Sequence, residues 1–164
     1  MALTASAALW YLPFVLPICL YVAYTDLRDM KIRNTAVLAL AGLFLILGLI
    51  TLPLPEYGWR LAQMLIVLII GIVLNAAGAL GAGDAKFIAA AAPFVPPADG
   101  VIVGMVFCAT LLAAFLTHRI AKHSPLRRAA PHWESWERKG DFPMGLALGP
   151  AFAIYLALPL IQAM

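Results

Sequence analysis

The chain has 164 residues, of which 64% are hydrophobic and only 12% are charged, and its formal net charge is +3. Soluble domains have about 45–50% apolar and about 25% charged residues, so this composition excludes an ordinary soluble fold. It predicts an all-α polytopic membrane protein with about six transmembrane helices in the lipid bilayer. We expect no nucleic acid among its partners.

Six apolar runs predict the transmembrane helices, and most approach the roughly 20 residues that a spanning helix needs. No lysine or arginine precedes the first run, so it lacks the basic start of a cleavable signal peptide and is expected to be retained. The fourth run is short and contains Pro93, so it spans only if its helix begins upstream, near 78–83, or if the bilayer thins. The runs lie at about 6–24, 35–52, 61–77, 85–97, 101–117 and 143–162.

The basic residues indicate the orientation of these spans. With six spans and the N-terminus outside, the loops at 25–34, 78–86 and 118–142 face the cytoplasm and hold ten of the eleven lysines and arginines. This asymmetry follows the positive-inside rule, and it supports the fourth run as a true span. We therefore expect residues 1–164 to form a single membrane domain with one long cytoplasmic loop.

That long loop, at about 118–142, combines basic residues with Trp133 and Trp136. The pattern fits a segment at the headgroup level, anchored by tryptophans, and it equally fits a solvated basic loop. Its histidines lack the spacing of a metal site, so we expect no metal. Cys19 and Cys108 lie singly inside apolar runs and are predicted to be buried, unreactive thiols.

Two acids stand at the same predicted membrane boundary. Asp26 closes the first apolar run and Asp84 opens the fourth, in "GALGAGDAKF" at 78–87. An ionisable group at membrane depth costs at least ~2.5 kcal/mol on insertion scales, which makes both acids functional candidates. The remaining acids are expected in loops, where solvation costs little: Asp29, Glu56, Asp99, Glu134, Glu137 and Asp141.

A close pair of carboxylates suggests aspartic-protease chemistry. Two such groups cannot both ionise easily, so one serves as a general base for water and the other as a general acid. Gly81 and Gly83 would then leave room beside Asp84 for an extended substrate strand. The alternative is structural: the glycines end one helix, and Asp84 caps the next.

Other chemistries lack their motifs. A G-x-G-x-x-G element would need glycine at Lys86, and neither a P-loop nor a G-x-S-x-G element occurs. We therefore expect no cofactor.

Three stretches carry a family resemblance. "DLRDMKIRN" at 26–34 is similar to the D-L-R-x-x-x-I-P-N element of type IV prepilin peptidases, and "GAGDAK" at 81–86 matches their G-x-G-D-x-K element. "FPMGLALGP" at 142–150 resembles the Pro-aromatic-Gly segment that opens their last helix. Arg33 replaces the usual proline, Met30 a common basic residue and Met144 the usual aromatic, which bears on substrate preference more than on chemistry.

The resemblance implies a GxGD intramembrane aspartic peptidase that trims the basic leader of prepilins and pseudopilins at the cytoplasmic face of the bacterial inner membrane. Asp26 and Asp84 carry over as the catalytic pair, and Asp29 carries over to no catalytic position. Lys86 would hold a substrate carboxylate, tune the pair, or simply be another inside-facing basic residue. The supporting or substrate-binding candidates are Gly81, Gly83, Lys86, Arg28, Asn34, Pro143 and Gly145.

Only eight residues, 27–34, separate Asp26 from the second apolar run. Long family members carry a methyl-transferring insertion there, so the chain resembles the short, peptidase-only branch associated with tight-adherence (Flp-type) pili. An archaeal-type preflagellin peptidase is a close relative that the motifs separate poorly. From another class, a small proton- or cation-coupled transporter, or a pilus or secretion assembly subunit, would also explain isolated membrane acids.

Overall fold

All the regular elements in the described part of the chain are helices. The computed structural model describes residues 1–138 and 140–163, so Lys139, one of the basic residues of the 118–142 loop, lies outside the described residues. Five of its helices, α1, α2, α3, α5 and α7, are long and apolar enough to cross a membrane, which confirms the predicted all-α polytopic class. The helices are α1 Ala5–Asp29, α2 Asn34–Thr51, α3 Leu54–Ala76, α4 Ala82–Ala91, α5 Gly100–Lys122, α6 Glu134–Glu137 and α7 Gly145–Gln162.

Helix α1 begins and ends at recognisable caps. The Thr4 side chain accepts a hydrogen bond from the Ala7 N–H, which satisfies one of the free donors of the first turn. The helix ends at Met30, whose φ of 50° lies in the left-handed region and whose N–H donates to the Asp26 carbonyl at 3.0 Å. Arg33 is extended and precedes α2, so residues 30–33 form the whole connection.

The fourth predicted span is not a single helix, and to this extent the prediction was wrong. Helix α4 has only 10 residues, and 3-10 turns at Ala92–Phe94 and Pro97–Asp99 follow it. Proline cannot donate to a helix ladder, so the helix breaks at Pro93. The segment still runs the length of the bundle: it begins beside the end of α1, and Asp99 binds the backbone N–H groups of residues 2 and 3 before α1 starts.

Polar and aromatic contacts hold this broken segment in place. Gln63 of α3 donates through Nε2 to the carbonyls of Ala92 and Val95, at 2.9 and 3.0 Å, so the groups freed by the break are satisfied. Phe94 lies edge-on against Tyr11 of α1, with ring centroids 5.0 Å apart, and edge-on against Phe44 of α2 at 5.1 Å. The fourth segment is therefore part of the core.

Helix α1 packs most extensively on α7, and two glycines of α7 permit the close approach. A Cβ added at Gly145 would lie 2.8 Å from the Asp26 Cβ, and one at Gly149 would lie 2.5 Å from the Cys19 carbonyl oxygen. These glycines are four residues apart and share one face of the helix, the small-xxx-small arrangement that brings membrane helices together. The contact fixes the end of α1 against the start of α7.

Two predictions about single residues were also wrong. Asp99 was expected in solvent, but it is 2% exposed and accepts hydrogen bonds from Ala2 N, Leu3 N and the Tyr155 hydroxyl. Cys19 is buried as expected, whereas Cys108 is exposed on α5. The reason for both errors is that hydropathy gives the depth of a residue in the membrane and not the face on which it lies.

Candidate active site

A cavity of about 250 Å³ lies at the C-terminal end of α1. Three stretches separated in sequence enclose it: the end of α1 with the following loop, the start of α4, and the residues before α7. Asp26 and Asp84 both line this cavity, so the fold brings the two predicted acids to one site. The lining residues are Asp26, Met30, Lys31, Ile32, Gly81, Ala82, Gly83, Asp84, Phe142 and Met144.

The side chain of Asp26 is hydrogen-bonded to the first residue of α7. It is 6% exposed, and its Oδ2 accepts a hydrogen bond of 2.6 Å from the Gly145 N–H. This N–H belongs to the first residue of α7 and has no partner within its own helix, so the carboxylate satisfies a free helix donor. An added Cβ at Gly145 would lie 3.0 Å from the same oxygen, so the glycine permits the contact.

Asp84 faces the cavity, and its carboxylate has no hydrogen-bonding partner among the described residues. It is the third residue of α4, whose N-cap is Gly81, and no side chain caps this helix. Within residues 1–138 and 140–163 its carboxylate makes no hydrogen bond or ion pair, so the capping alternative is not supported. A Cβ at Gly81 would collide with the Asp84 Oδ2, and one at Gly83 would lie 3.2 Å from the Ile32 Cβ. Both glycines keep space at the site.

The 118–142 segment contributes a wall of the cavity through Phe142. This ring lies 5.8 Å from His118 and 5.8 Å from Phe115, both on α5. His118 is stacked on Trp136 at 5.1 Å, and Trp136 is stacked on Trp133 at 5.6 Å. Trp136 is buried and its Nε1 donates to a backbone carbonyl, so this tryptophan packs inside the protein.

Asp29 and Arg28 lie apart from the cavity. Asp29 binds the Arg28 guanidinium at 3.0 Å and that of Arg33 at 2.8 Å, so its charge is already paired. Arg28 is half exposed and lies on a different groove, beside Tyr24 and Trp133. The fold therefore distinguishes Asp26 from Asp29, although they are only three residues apart.

The remaining predicted residues lie in three places. Gly81 and Gly83 line the cavity, and Pro143 is fully buried just before α7. Lys86 lies outside the cavity lining, where its Nζ donates to the Asn34 Oδ1 at 3.2 Å and links α4 to α2.

Sequence reasoning did not select several residues that line the cavity, among them Lys31, Ile32 and Phe142. Their only signal was adjacency to the motifs at 26–34 and 142–150. Among the described residues, no group of three His, Cys, Asp or Glu side chains is arranged to hold a metal ion.

A comparison with known protein families matches a region that contains both Asp26 and Asp84. The sequence profile of the Type IV leader peptidase family matches residues 13–118, which is more than half of the chain and includes both cavity acids. The chain belongs to this family. No curated protein and no solved structure matches it. Membership gives this membrane-embedded chain a peptidase function of the type IV leader peptidase kind, with pilin-type substrates in general.

Proposed function

We propose that the chain is an aspartic endopeptidase with Asp26 and Asp84 as its catalytic pair. It removes the leader from Flp-type prepilins and pseudopilins at the cytoplasmic face of the bacterial inner membrane, and it does not transfer methyl groups. The observation that carries this proposal is that two acids from different helices line one cavity of about 250 Å³ at one end of the bundle.

The chemistry follows from the pair. Two carboxylates at one site share a proton, so one is charged and the other is neutral. The charged group removes a proton from a water molecule, which attacks the scissile carbonyl carbon. The neutral group donates a proton to the developing oxyanion. The tetrahedral intermediate then collapses: the group that took the water proton gives it to the leaving amine, and the other carboxylate takes back the hydroxyl proton as the carbonyl forms again, which restores the pair. The Gly145 N–H fixes one oxygen of Asp26 and therefore its orientation throughout.

The substrate strand has a place to enter. Gly81 and Gly83 line the cavity without side chains, and the positions where their Cβ atoms would stand are close to Asp84 and Ile32. An extended backbone needs this kind of space to bring its carbonyl near a carboxylate.

Two further observations support the cytoplasmic location of the site and the absence of methyl transfer. The cavity is at the end of the bundle that carries Arg28, Lys31 and Arg33, which the positive-inside rule assigns to the cytoplasm. A basic leader would then remain in the cytoplasm, and the cleavage point would lie at the membrane boundary. The connection between α1 and α2 is only residues 30–33, which supports the peptidase-only assignment because it holds no methyl-transferring insertion.

The test is co-expression with a Flp-type prepilin, with leader removal read by gel mobility. Asp26→Asn and Asp84→Asn should each abolish cleavage at normal protein level, and the double variant should be no worse, because the two groups act as a unit. Asp29→Asn is the matched control and should retain most activity. Normal cleavage by either single variant would refute the pair. A transporter or assembly subunit would leave the prepilin uncut even in the unmodified chain.

A further inference from the structure

A second cavity, of about 350 Å³, forms a groove along the membrane-spanning part of the bundle. Helices α3 and α5 form its sides, and α4 and α7 form its floor. Its lining is apolar apart from Gln63, whose amide already donates to the Ala92 and Val95 carbonyls. The groove therefore offers no polar recognition and suits an apolar occupant.

Helix α5 presents two open glycines to this groove. Gly100 and Gly104 line it together with Val103 and Phe107, and the spacing of three, four and seven residues places all four on one helix face. A Cβ added at either glycine would meet no atom within 4 Å. None of the residues in the apolar part of α5 is buried. Val103 and Phe107 are partly buried against the core, whereas Gly100 and Gly104 between them stay open, so this face of α5 has space for an apolar partner.

Elsewhere in this chain, a pair of glycines with the same spacing is covered by a neighbouring helix. On α7, Gly145 and Gly149 receive α1 so closely that added Cβ atoms would lie 2.8 Å from the Asp26 Cβ and 2.5 Å from the Cys19 carbonyl oxygen. Small residues four apart allow helix backbones to approach in a membrane, where dispersion and packing drive association. Gly100 and Gly104 of α5 have the same spacing of four residues, but no helix of the described chain covers them.

Helices α4 and α7 lead from the catalytic cavity to the groove, because each, with the N-cap residue of α7 included, contributes residues to both. Phe87 and Ile88 line the groove and follow Asp84 by three and four residues, so they lie one turn further along the same side of α4. Leu148 lines the groove and follows Met144 of the catalytic cavity by four residues. At its far end the groove reaches Gly100, beside Asp99 at the opposite end of the bundle.

The family resemblance implies a substrate whose basic leader is followed directly by an apolar helix. We propose that this groove binds that helix, which places the cleavage point of the attached strand at Asp26 and Asp84. A helix with its side chains is ~10–12 Å wide, so the groove receives one face of it while the other face stays in lipid. The Gly100 and Gly104 pair forms the point of closest approach. This inference rests on the proposed function, because it concerns the substrate of the same site.

Filling the groove tests the proposal by activity. Gly104→Leu places a side chain in the groove, and Gly42→Leu on α2 is its matched control, because a Cβ at Gly42 also meets nothing within 4 Å. Two probes are compared: a full-length Flp-type prepilin, and a synthetic peptide with the leader and five following residues but no apolar helix. Gly104→Leu should lower kcat/KM for the prepilin at least tenfold and leave peptide cleavage unchanged, whereas Gly42→Leu should change neither.

Crosslinking tests the groove independently of turnover. A photoreactive benzophenone amino acid at Val103, in the Asp84→Asn background, should crosslink to the prepilin, whereas the same group at Val101, which is 74% exposed and does not line the groove, should not.

Three results would overturn the proposal: prepilin cleavage unaffected by Gly104→Leu, equal loss on both probes, or crosslinks at Val103 only to lipid or to a second copy of the chain. If the unmodified chain cuts neither probe while Val103 crosslinks to the prepilin, the groove assignment stands and the proposed peptidase chemistry fails.

Discussion

Gly145→Ala is the smallest change that should disturb the candidate pair without removing a carboxylate. The added methyl carbon would lie 2.8 Å from the Asp26 Cβ, 3.0 Å from its Oδ2 and 3.2 Å from its Cγ. Rotation of the aspartate side chain cannot relieve the first contact, because a Cβ is fixed by its backbone. Helix α7 or helix α1 must therefore shift by several tenths of an ångström.

The expected magnitude follows from this geometry. Overpacking of a close-packed site costs typically about 1–3 kcal/mol, which is less than the roughly 5–15 kcal/mol by which native proteins are stable. Activity should suffer more than stability, because the shift lengthens the 2.6 Å hydrogen bond from the Gly145 N–H that orients Asp26. A misplacement of about 1 Å at a reacting group can cost about 10²-fold in rate. We expect leader removal to fall by about that factor.

The assay compares initial rates of prepilin cleavage in detergent or membranes at matched protein level. Gly42→Ala is the control, because nothing lies within 4 Å of its added Cβ and alanine is the better helix former by about 0.5–1 kcal/mol. It should cleave at the unmodified rate. Unimpaired cleavage by Gly145→Ala would show that the Asp26–Gly145 contact does not set the active geometry and would refute the orienting role given to the Gly145 N–H.

Three further predictions concern orientation, reaction scope and stability. A cysteine at Ala130 should be labelled only by reagents that reach the cytoplasm, and one at Glu56 only from outside; reversed labelling would overturn the orientation. Mature pilin processed by this chain alone should carry a free N-terminal amine, and a mass gain of one methyl group that depends on the chain would contradict the peptidase-only assignment. Asp99→Asn should lower the melting temperature in detergent with little change in kcat, because three donors lose a charged acceptor; an unchanged melting temperature would contradict this.

The helices were predictable because membrane insertion imposes one dominant rule. A spanning backbone must satisfy its own hydrogen bonds, so long apolar runs become helices, and five of the six runs did so. The fourth run was harder because its crossing depends on distant partners. Gln63, about 30 residues upstream, supplies the donors that a helix broken at Pro93 requires. No local pattern shows that such a donor will be in place.

The acids of the candidate site were also selected from the sequence, but their surroundings were not. The Asp26–Gly145 hydrogen bond joins residues 119 apart. Its existence depends on the packing of α1 on α7, which only the tertiary structure reveals. The wall formed by Phe142 depends in the same way on a stack of rings that connects α5 to the segment before α7.

The three acids within the bundle show why position alone is a weak guide to function. A buried carboxylate without compensating donors is costly, so an acid with a structural role gathers them. Asp99 accepts three hydrogen bonds, at 2.7, 2.9 and 2.9 Å, from two backbone N–H groups just before α1 and from the Tyr155 hydroxyl of α7. Asp26 accepts one, which leaves an oxygen toward the cavity. Asp84 accepts none from the described residues, and its surroundings are glycines that keep other atoms away. The protein therefore surrounds Asp99 with donors, orients Asp26 with a single bond and leaves Asp84 facing the cavity, and this difference is why we propose Asp26 and Asp84, and not Asp99, as the hydrolytic pair.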